Sequence, residues 1–153
     1  MQRAFSATTE AGPDRLFAVV SDLATYPDWL DLVDAVESAG EPDAWFVTLR
    51  ARVGPFSRSK RLRMVRTVAR DGARRTVRFD RAETDGKEHS PWVLSAVVLP
   101  VPDGEGSEVT LDLVYGGTLW TGPLETILDA TAARATERLQ AYVAERPASS
   151  DAR

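Results

Sequence analysis

His89 is the single histidine of a 153-residue chain that has no cysteine, and these two counts bound its chemistry. Disulfides, thiol nucleophiles and thiolate metal sites are excluded. A Ser–His–Asp arrangement would have to use His89, with Ser90 adjacent and Asp80 or Asp85 near in sequence. No serine, however, sits in the strand–turn–helix elbow that exposes a nucleophile. The loop Gly86-Lys87-Glu88-His89-Ser90 reads as solvated. One histidine with scattered carboxylates makes no metal site. Carboxylates near each other, Asp28 with Asp31 and Asp80 with Glu83, are candidates for acid–base work. Asp28 has a sufficient role as a helix cap, and Asp80 faces outward by alternation with Phe79. Gly116-Gly117 and Gly104-Glu105-Gly106 lack nucleotide-binding spacing and read as turns. No catalytic residue, metal or cofactor is assigned.

Two residue classes suit binding better than catalysis. Trp29, Trp45, Trp92 and Trp120 read as core or cavity-rim residues, and Trp29 and Trp92 could also form an aromatic lining for a planar ligand. Arg66 is the notable charge. If Leu62 and Met64 point inward, alternation carries Arg66 inward too, where it needs an acidic partner or an anionic ligand. A bulge near Val65 would instead return it to solvent. Arg66 lies in a basic stretch: residues 50–81 carry twelve Lys/Arg against two Asp/Glu, while 1–49 and 82–153 are each net −7, and the whole chain is −4. A basic outer sheet face neutralised by acidic neighbours fits this better than a nucleic-acid surface.

The elements that position these residues follow from periodicity. Gln2–Glu10 reads as a first strand. Gly12-Pro13 opens a helix to Leu23, with Pro at the first helical position and Asp14 in the first turn. Thr25-Tyr26-Pro27-Asp28 has the form of a capping box for a short second helix carrying Trp29, Leu30 and Leu32. The period then becomes two. Leu32–Ser38 is a weak strand. Trp45, Val47, Leu49, Ala51 and Val53 alternate with Phe46, Thr48, Arg50 and Arg52. Strands at 57–70 and 74–83 follow, separated by Asp71-Gly72. Residues 91–100 are nearly all apolar, as for a strand covered on both faces or near a subunit contact. Val109, Leu111, Leu113 and Tyr115 mark the last strand. Short connections imply antiparallel pairing.

Residues 122–145 are expected to form one amphipathic helix, about 36 Å long. Leu124, Ile127, Leu128, Leu139, Tyr142 and Val143 give its apolar stripe, thinned in the middle by Thr131 and Ala135. Such a helix across a curved sheet leaves a space beneath its centre. The expected lining is Trp29, Val47, Leu49, Leu62, Met64, Arg66, Val77, Phe79, Trp92, Leu111, Leu113, Tyr115, Ile127, Leu128, Thr131 and Ala135. Arg50, Arg52, Arg61, Arg63 and Arg78 belong on the opposite face, with Asp80 the nearest acid. Residues 1–146 read as one α+β domain and 147–153 as a disordered tail. No apolar run spans a membrane, and Met1–Phe5 lacks the core of a secretory signal, so a cytoplasmic location is expected.

The stretches Gly12-Pro13 to Asp22-Leu23, Tyr26-Pro27-Asp28-Trp29, His89-Ser90-Pro91-Trp92 and Tyr115-Gly116-Gly117 leading to Gly122-Pro123-Leu124 resemble the START-related helix-grip superfamily. This is the SRPBCC group, named for polyketide cyclases, dehydrases and lipid-transport proteins. The resemblance implies a seven-stranded antiparallel sheet curved around a long C-terminal helix, two short helices between the first two strands, and a ligand cavity. Known members bind lipids, sterols, polyketides, quinones or plant hormones, and some cyclise polyketides. They share no catalytic motif. The leading expectation is a non-enzymatic carrier of a small hydrophobic ligand, without cofactor and without specific nucleic-acid binding. An aromatase/cyclase-type enzyme acting on a polyketide is the first alternative. A macromolecular partner module using the basic outer face of residues 50–81 is the second.

Overall fold

The computed structural model describes residues 1–53, 55–102, 104–117 and 121–145, so Trp120 and the 147–153 tail lie outside the described residues. The element order is β1 (Gln2–Thr9), α1 (Pro13–Val20), a 3-10 helix (Leu23–Asp28), β2 (Val33–Ser38), β3 (Ala44–Val53), β4 (Phe56–Asp71), β5 (Arg74–Arg81), β6 (Trp92–Pro100), β7 (Ser107–Tyr115) and α2 (Thr121–Glu145). Among the described residues seven strands form one antiparallel sheet, in the order β1-β7-β6-β5-β4-β3-β2. Every spatial neighbour except the β1–β7 pair is also a sequence neighbour. The sheet is thus a meander that brings the first strand back beside the last.

Alternation sets the faces. Val47, Leu49, Ala51, Leu62, Met64, Val77, Phe79, Leu94, Ala96, Val98, Val109 and Leu111 are all buried on the concave side. α1 adds Leu16, Phe17, Val19 and Val20, and α2 adds Leu124, Leu128, Ala135, Leu139 and Val143. Gly12 caps α1 without a side-chain hydrogen bond, and Pro13 supplies the pre-set φ of the first turn. At the β1–β7 end glycine is required by space: a Cβ on Gly106 would stand 2.3 Å from the Thr9 carbonyl oxygen.

Two local readings are corrected. The second helix is a 3-10 turn capped by Asp22, whose carboxylate accepts the Ala24 N–H at 3.0 Å. Thr25 is no cap: its hydroxyl shares its one proton between the Val19 and Asp22 carbonyls, both at 2.9 Å, and accepts from Trp29 Nε1 at 3.2 Å. Asp28 is exposed at the end of the turn, and Trp29, Leu30 and Leu32 come after it. Strand β6 is not covered on both faces. Trp92, Leu94, Ala96 and Val98 are buried, whereas Val93, Ser95 and Val97 are half-exposed beside Thr110, Asp112 and Val114 of β7.

Of the outer arginines on the convex face, all but Arg52 meet an acid among the described residues. Arg50 pairs with Asp34 at 3.4 Å, Arg61 with Glu37 at 3.6 Å, and Arg63 with Glu41. These acids come from β2 and from the turn that follows it. Arg78 pairs with Asp80 at 2.9 Å, two residues along its own strand rather than across strands.

Candidate ligand cavity

β4 runs without a bulge from Met64 to Asp71 opposite β5, so alternation does hold through Arg66. Arg66 is paired with Phe79 in register and lies on the concave side, but at its rim. Its Nε donates to Asp43 Oδ1 at 2.8 Å and its Nη1 to the Ser21 carbonyl at 2.8 Å, while the guanidinium stands 5.0 Å from the Trp45 ring. Asp43 takes a left-handed backbone, φ 61°, in the β2–β3 turn, and its carbonyl also accepts the Arg66 N–H. Arg66 is therefore satisfied by the protein and does not border the cavity.

The concave side has two halves. One is filled by aromatic rings: Tyr26 and Trp29 have ring centroids 4.4 Å apart, and Phe79 lies 6.0 Å from both Tyr26 and Trp45. The Tyr26 hydroxyl donates to the Val20 carbonyl at 2.6 Å, and full burial pushes its pKa far above the usual phenol value. Trp29, Val77 and Phe79 belong to this packed half and do not line the cavity.

The other half is open. Leu30, Leu32 and Val33 bound it below. Val47 and Leu49 of β3, Leu62 and Met64 of β4, and Trp92 and Leu94 of β6 form its wall, with Leu111 and Leu113 of β7. Leu23 also borders it. β1 contributes Arg3 and Phe5, and α2 closes it with Leu128, Asp129 and Ala132. Ala4 and Asp112 border it from the outer register of their strands. The room open to the centres of water-sized spheres is about 80 Å³, against the roughly 10–15 Å³ that one water needs. A lining this apolar favours hydrocarbon over water.

Of the residues expected to line a cavity, Val47, Leu49, Leu62, Met64, Trp92, Leu111, Leu113 and Leu128 come together around it. Tyr115 lies behind Trp92, ring centroids 4.4 Å apart. Ile127 and Thr131 are half-buried, and the Thr131 hydroxyl donates back to the Ile127 carbonyl at 2.7 Å. Ala135 is 2% exposed but packs in the core. The void lies under Leu128 and Ala132, one helical step round from Thr131 and Ala135. The reason is where α2 is tied down. Arg3 Nη2 bonds Glu125 Oε2 at 2.6 Å, and Arg3 Nε bonds Asp129 Oδ1 at 3.2 Å. Arg134 and Arg138 reach Asp31 at 3.0 and 2.5 Å, and Gln140 donates to the Thr8 carbonyl at 2.8 Å.

His89 lies away from the cavity, in a polar surface recess with Arg81, Glu83, Lys87, Ser90 and Pro91. Its Nε2 is 2.9 Å from both Asp85 oxygens, which holds the Asp85 pKa below the usual carboxylate range. Its Nδ1 faces Arg81 Nη2 at 3.2 Å. The Arg81 side chain, 7% exposed, also binds Glu83 at 2.8 Å and the Ser90 carbonyl at 3.1 Å. Both imidazole nitrogens are thus engaged by groups other than the Ser90 hydroxyl. Among the described residues no His/Cys/Asp/Glu cluster could hold a metal ion, and no helix is long and apolar enough to cross a membrane.

A curved sheet wrapped on a long helix over an apolar cavity agrees with what family comparison finds. Residues 4–146 match the model described as polyketide cyclase / dehydrase and lipid transport. The chain belongs to that family. Among solved structures, a START superfamily protein from Mycobacterium smegmatis is similar with TM-score 0.68 at 12% identity, over 94% of this chain and 97% of that one. Human StAR-related lipid transfer protein 5 gives TM-score 0.74 at 9% identity, over 94% and 76%. A protein from Thermus thermophilus gives 0.60 at 19%, over 95% and 98%. Likeness at these identities concerns the fold. No curated protein sequence matches. The family's helix-grip architecture accounts for each element described above.

Proposed function

We propose that this family member binds a small hydrophobic ligand in the cavity between its sheet and α2. The observation that carries the reading is the apolar void itself, bounded by leucines, Val47, Met64 and Trp92, in a fold whose other half is densely packed. Burial of apolar ligand surface there is worth about 25 cal/mol per Å² before binding costs. The similar human protein is a StAR-related lipid transfer protein, which agrees with a lipid-like ligand. A polyketide cyclase would need ionisable groups aimed at a substrate. Of the ionisable side chains at this cavity, Arg3 and Asp129 are bonded to each other, and Asp112 accepts from Gln2, so the geometry favours binding.

The test is ligand uptake with the void filled. Ala132→Trp places an indole where Ala132 meets the cavity. It is expected to reduce binding of an anilinonaphthalene dye at least tenfold, with the far-ultraviolet circular dichroism unchanged. Native mass spectrometry of the wild type with solvent extraction should recover a co-purifying hydrophobic compound. Equal dye binding by wild type and variant would defeat the reading.

A further inference from the structure

The positive charge of residues 50–81 separates into compensated and uncompensated groups once its contacts are followed. On the outer face Arg50, Arg61, Arg63 and Arg78 each meet a carboxylate. On the concave side Arg3 is held by Glu125 and Asp129, Arg66 by Asp43, and Arg75 by Asp14 at 2.6 Å. Among the described residues no carboxylate pairs with Lys60 or Arg58. Arg52, on the outer face of the same hairpin, is likewise uncompensated, as are Arg70 and Arg74 at the far end of β4 and β5.

Register places Lys60 next to the cavity wall and Arg58 one same-face step farther along β4. β4 alternates so that Leu62 and Met64 face inward; Lys60 and Arg58 continue that row. Lys60 lies directly opposite Leu49, and Arg58 directly opposite Ala51. Opposed residues on one face have Cβ atoms about 4.5–5.5 Å apart, so Lys60 adjoins a residue of the cavity wall. Leu49 and Leu62, its opposite and its next same-face neighbour, both line the void. β5 ends at Arg81, opposite Met64, so this part of β4 extends past the neighbouring strand. Lys60 is half-buried and Arg58 exposed. A lysine there lays its stem on apolar surface and keeps the ammonium in water.

Resting on the cavity reading above, we propose that Lys60 and Arg58 form a head-group site for an amphiphile whose apolar tail occupies the cavity and whose head is an anion, a carboxylate or a phosphate ester. Two cations without a carboxylate partner among the described residues, at the end of an apolar cleft, supply charge-assisted hydrogen bonds that a neutral ligand does not use. Arg3, at the β1 side of the same cavity, is already neutralised by two acids and does not compete for the head.

The experiment compares parinaric acid with its methyl ester by fluorescence, and measures displacement by dodecyl phosphate, for the wild type and for Lys60→Gln/Arg58→Gln. Arg52→Gln is the control on the outer face. The wild type should bind the acid more tightly than the ester. The double variant should lose about tenfold or more for the acid, as expected for hydrogen bonds to a charged group, and keep its ester affinity. Arg52→Gln should change neither. Displacement by dodecyl phosphate that is also lost in the double variant assigns phosphate as well as carboxylate heads; displacement unchanged in the variant restricts the site to carboxylates. An acid preference that is absent, or that survives in the double variant, overturns the head-group site while leaving the cavity reading intact. Failure of the wild type to bind acid or ester overturns both.

Discussion

Tyr26 carries a polar group into the packed half of the molecule, and its one hydroxyl bond has a measurable signature. The hydroxyl donates to the Val20 carbonyl inside an apolar cluster, and burial raises its pKa, with Asp22 adding a smaller push in the same direction. The folded state therefore holds the phenol proton where the unfolded chain releases it near pH 10. Between that pH and the higher folded pKa the native state binds more protons, so stability falls as pH rises, by up to about 1.4 kcal/mol per pH unit. Tyr26→Phe should cost about 1–3 kcal/mol at neutral pH, because the Val20 carbonyl loses its partner. It should also flatten the alkaline fall relative to wild type. Urea denaturation at pH 8 to 11 checks both; parallel curves for the two proteins would contradict the buried phenol. Asp85 has the opposite sign. His89 and the Lys87 N–H hold its carboxyl low, so that contribution is present above the unfolded pKa and is lost on acidification. His89→Ala should return the Asp85 carboxyl signal in an NMR titration toward the usual range.

At the scale of elements, Gly106 and the ties on α2 decide the geometry of the void. Gly106→Ala would drive a methyl into the Thr9 carbonyl, backbone against backbone. It should lower the melting temperature by several degrees or more, as ~1–3 kcal/mol does in a domain of this size. Gly40→Ala is the informative comparison, because Gly40 has positive φ, 88°, and nothing within 4 Å; its cost should be conformational and smaller. Equal melting temperatures for wild type and Gly106→Ala would remove the steric argument. The strand faces were legible because the period of two runs unbroken from Leu62 through Arg66, and the order of elements because each strand is bounded by Gly, Pro or Asp turns. The helix phase over the cavity was not. Thr131 and Ala135 are the thin positions of α2, but the side of the helix above the void is chosen by tethers from Arg3, Asp31 and Thr8, each more than a hundred residues away in sequence. The same distance hid Arg3 and Phe5 as wall residues; Asp43, the partner of Arg66, was hidden by lying across a hairpin. The Asp22 cap was hidden for another reason: Asp22, Thr25 and Asp28 are all capping types, and only the 3-10 geometry around Pro27 selects among them.

For the whole molecule the question is whether the arginine-rich strands amount to a polyanion surface. The chain is net −4, and the twelve cations of residues 50–81 are flanked by acidic segments. The fold brings those segments onto the strands: Asp34, Glu37 and Glu41 arrive from β2 and its turn to meet Arg50, Arg61 and Arg63. Arg61 also stands 4.1 Å over the Phe46 ring, so part of its surface is spent on its neighbour. Among the described residues, the cations of 50–81 left without a carboxylate are split between the β3–β4 hairpin (Arg52, Arg58, Lys60) and the β4–β5 end (Arg70, Arg74), at opposite ends of β4. Exposed pairs like these are each worth at most about 1 kcal/mol and are screened by salt. With charges separated by more than the Debye length of ~8 Å at physiological ionic strength, the two ends cannot act as one patch there. Few phosphates can then be neutralised at once, and counterion release gives only a shallow dependence on salt. The protein should be retained on heparin at low ionic strength and elute below physiological salt. Glu37→Gln/Glu41→Gln, which uncovers Arg61 and Arg63 between the two ends, should raise the eluting salt concentration. Wild-type retention well above physiological salt, unaffected by that substitution, would mean that a cationic surface outside these strands governs binding, and would return the macromolecular-partner reading to consideration.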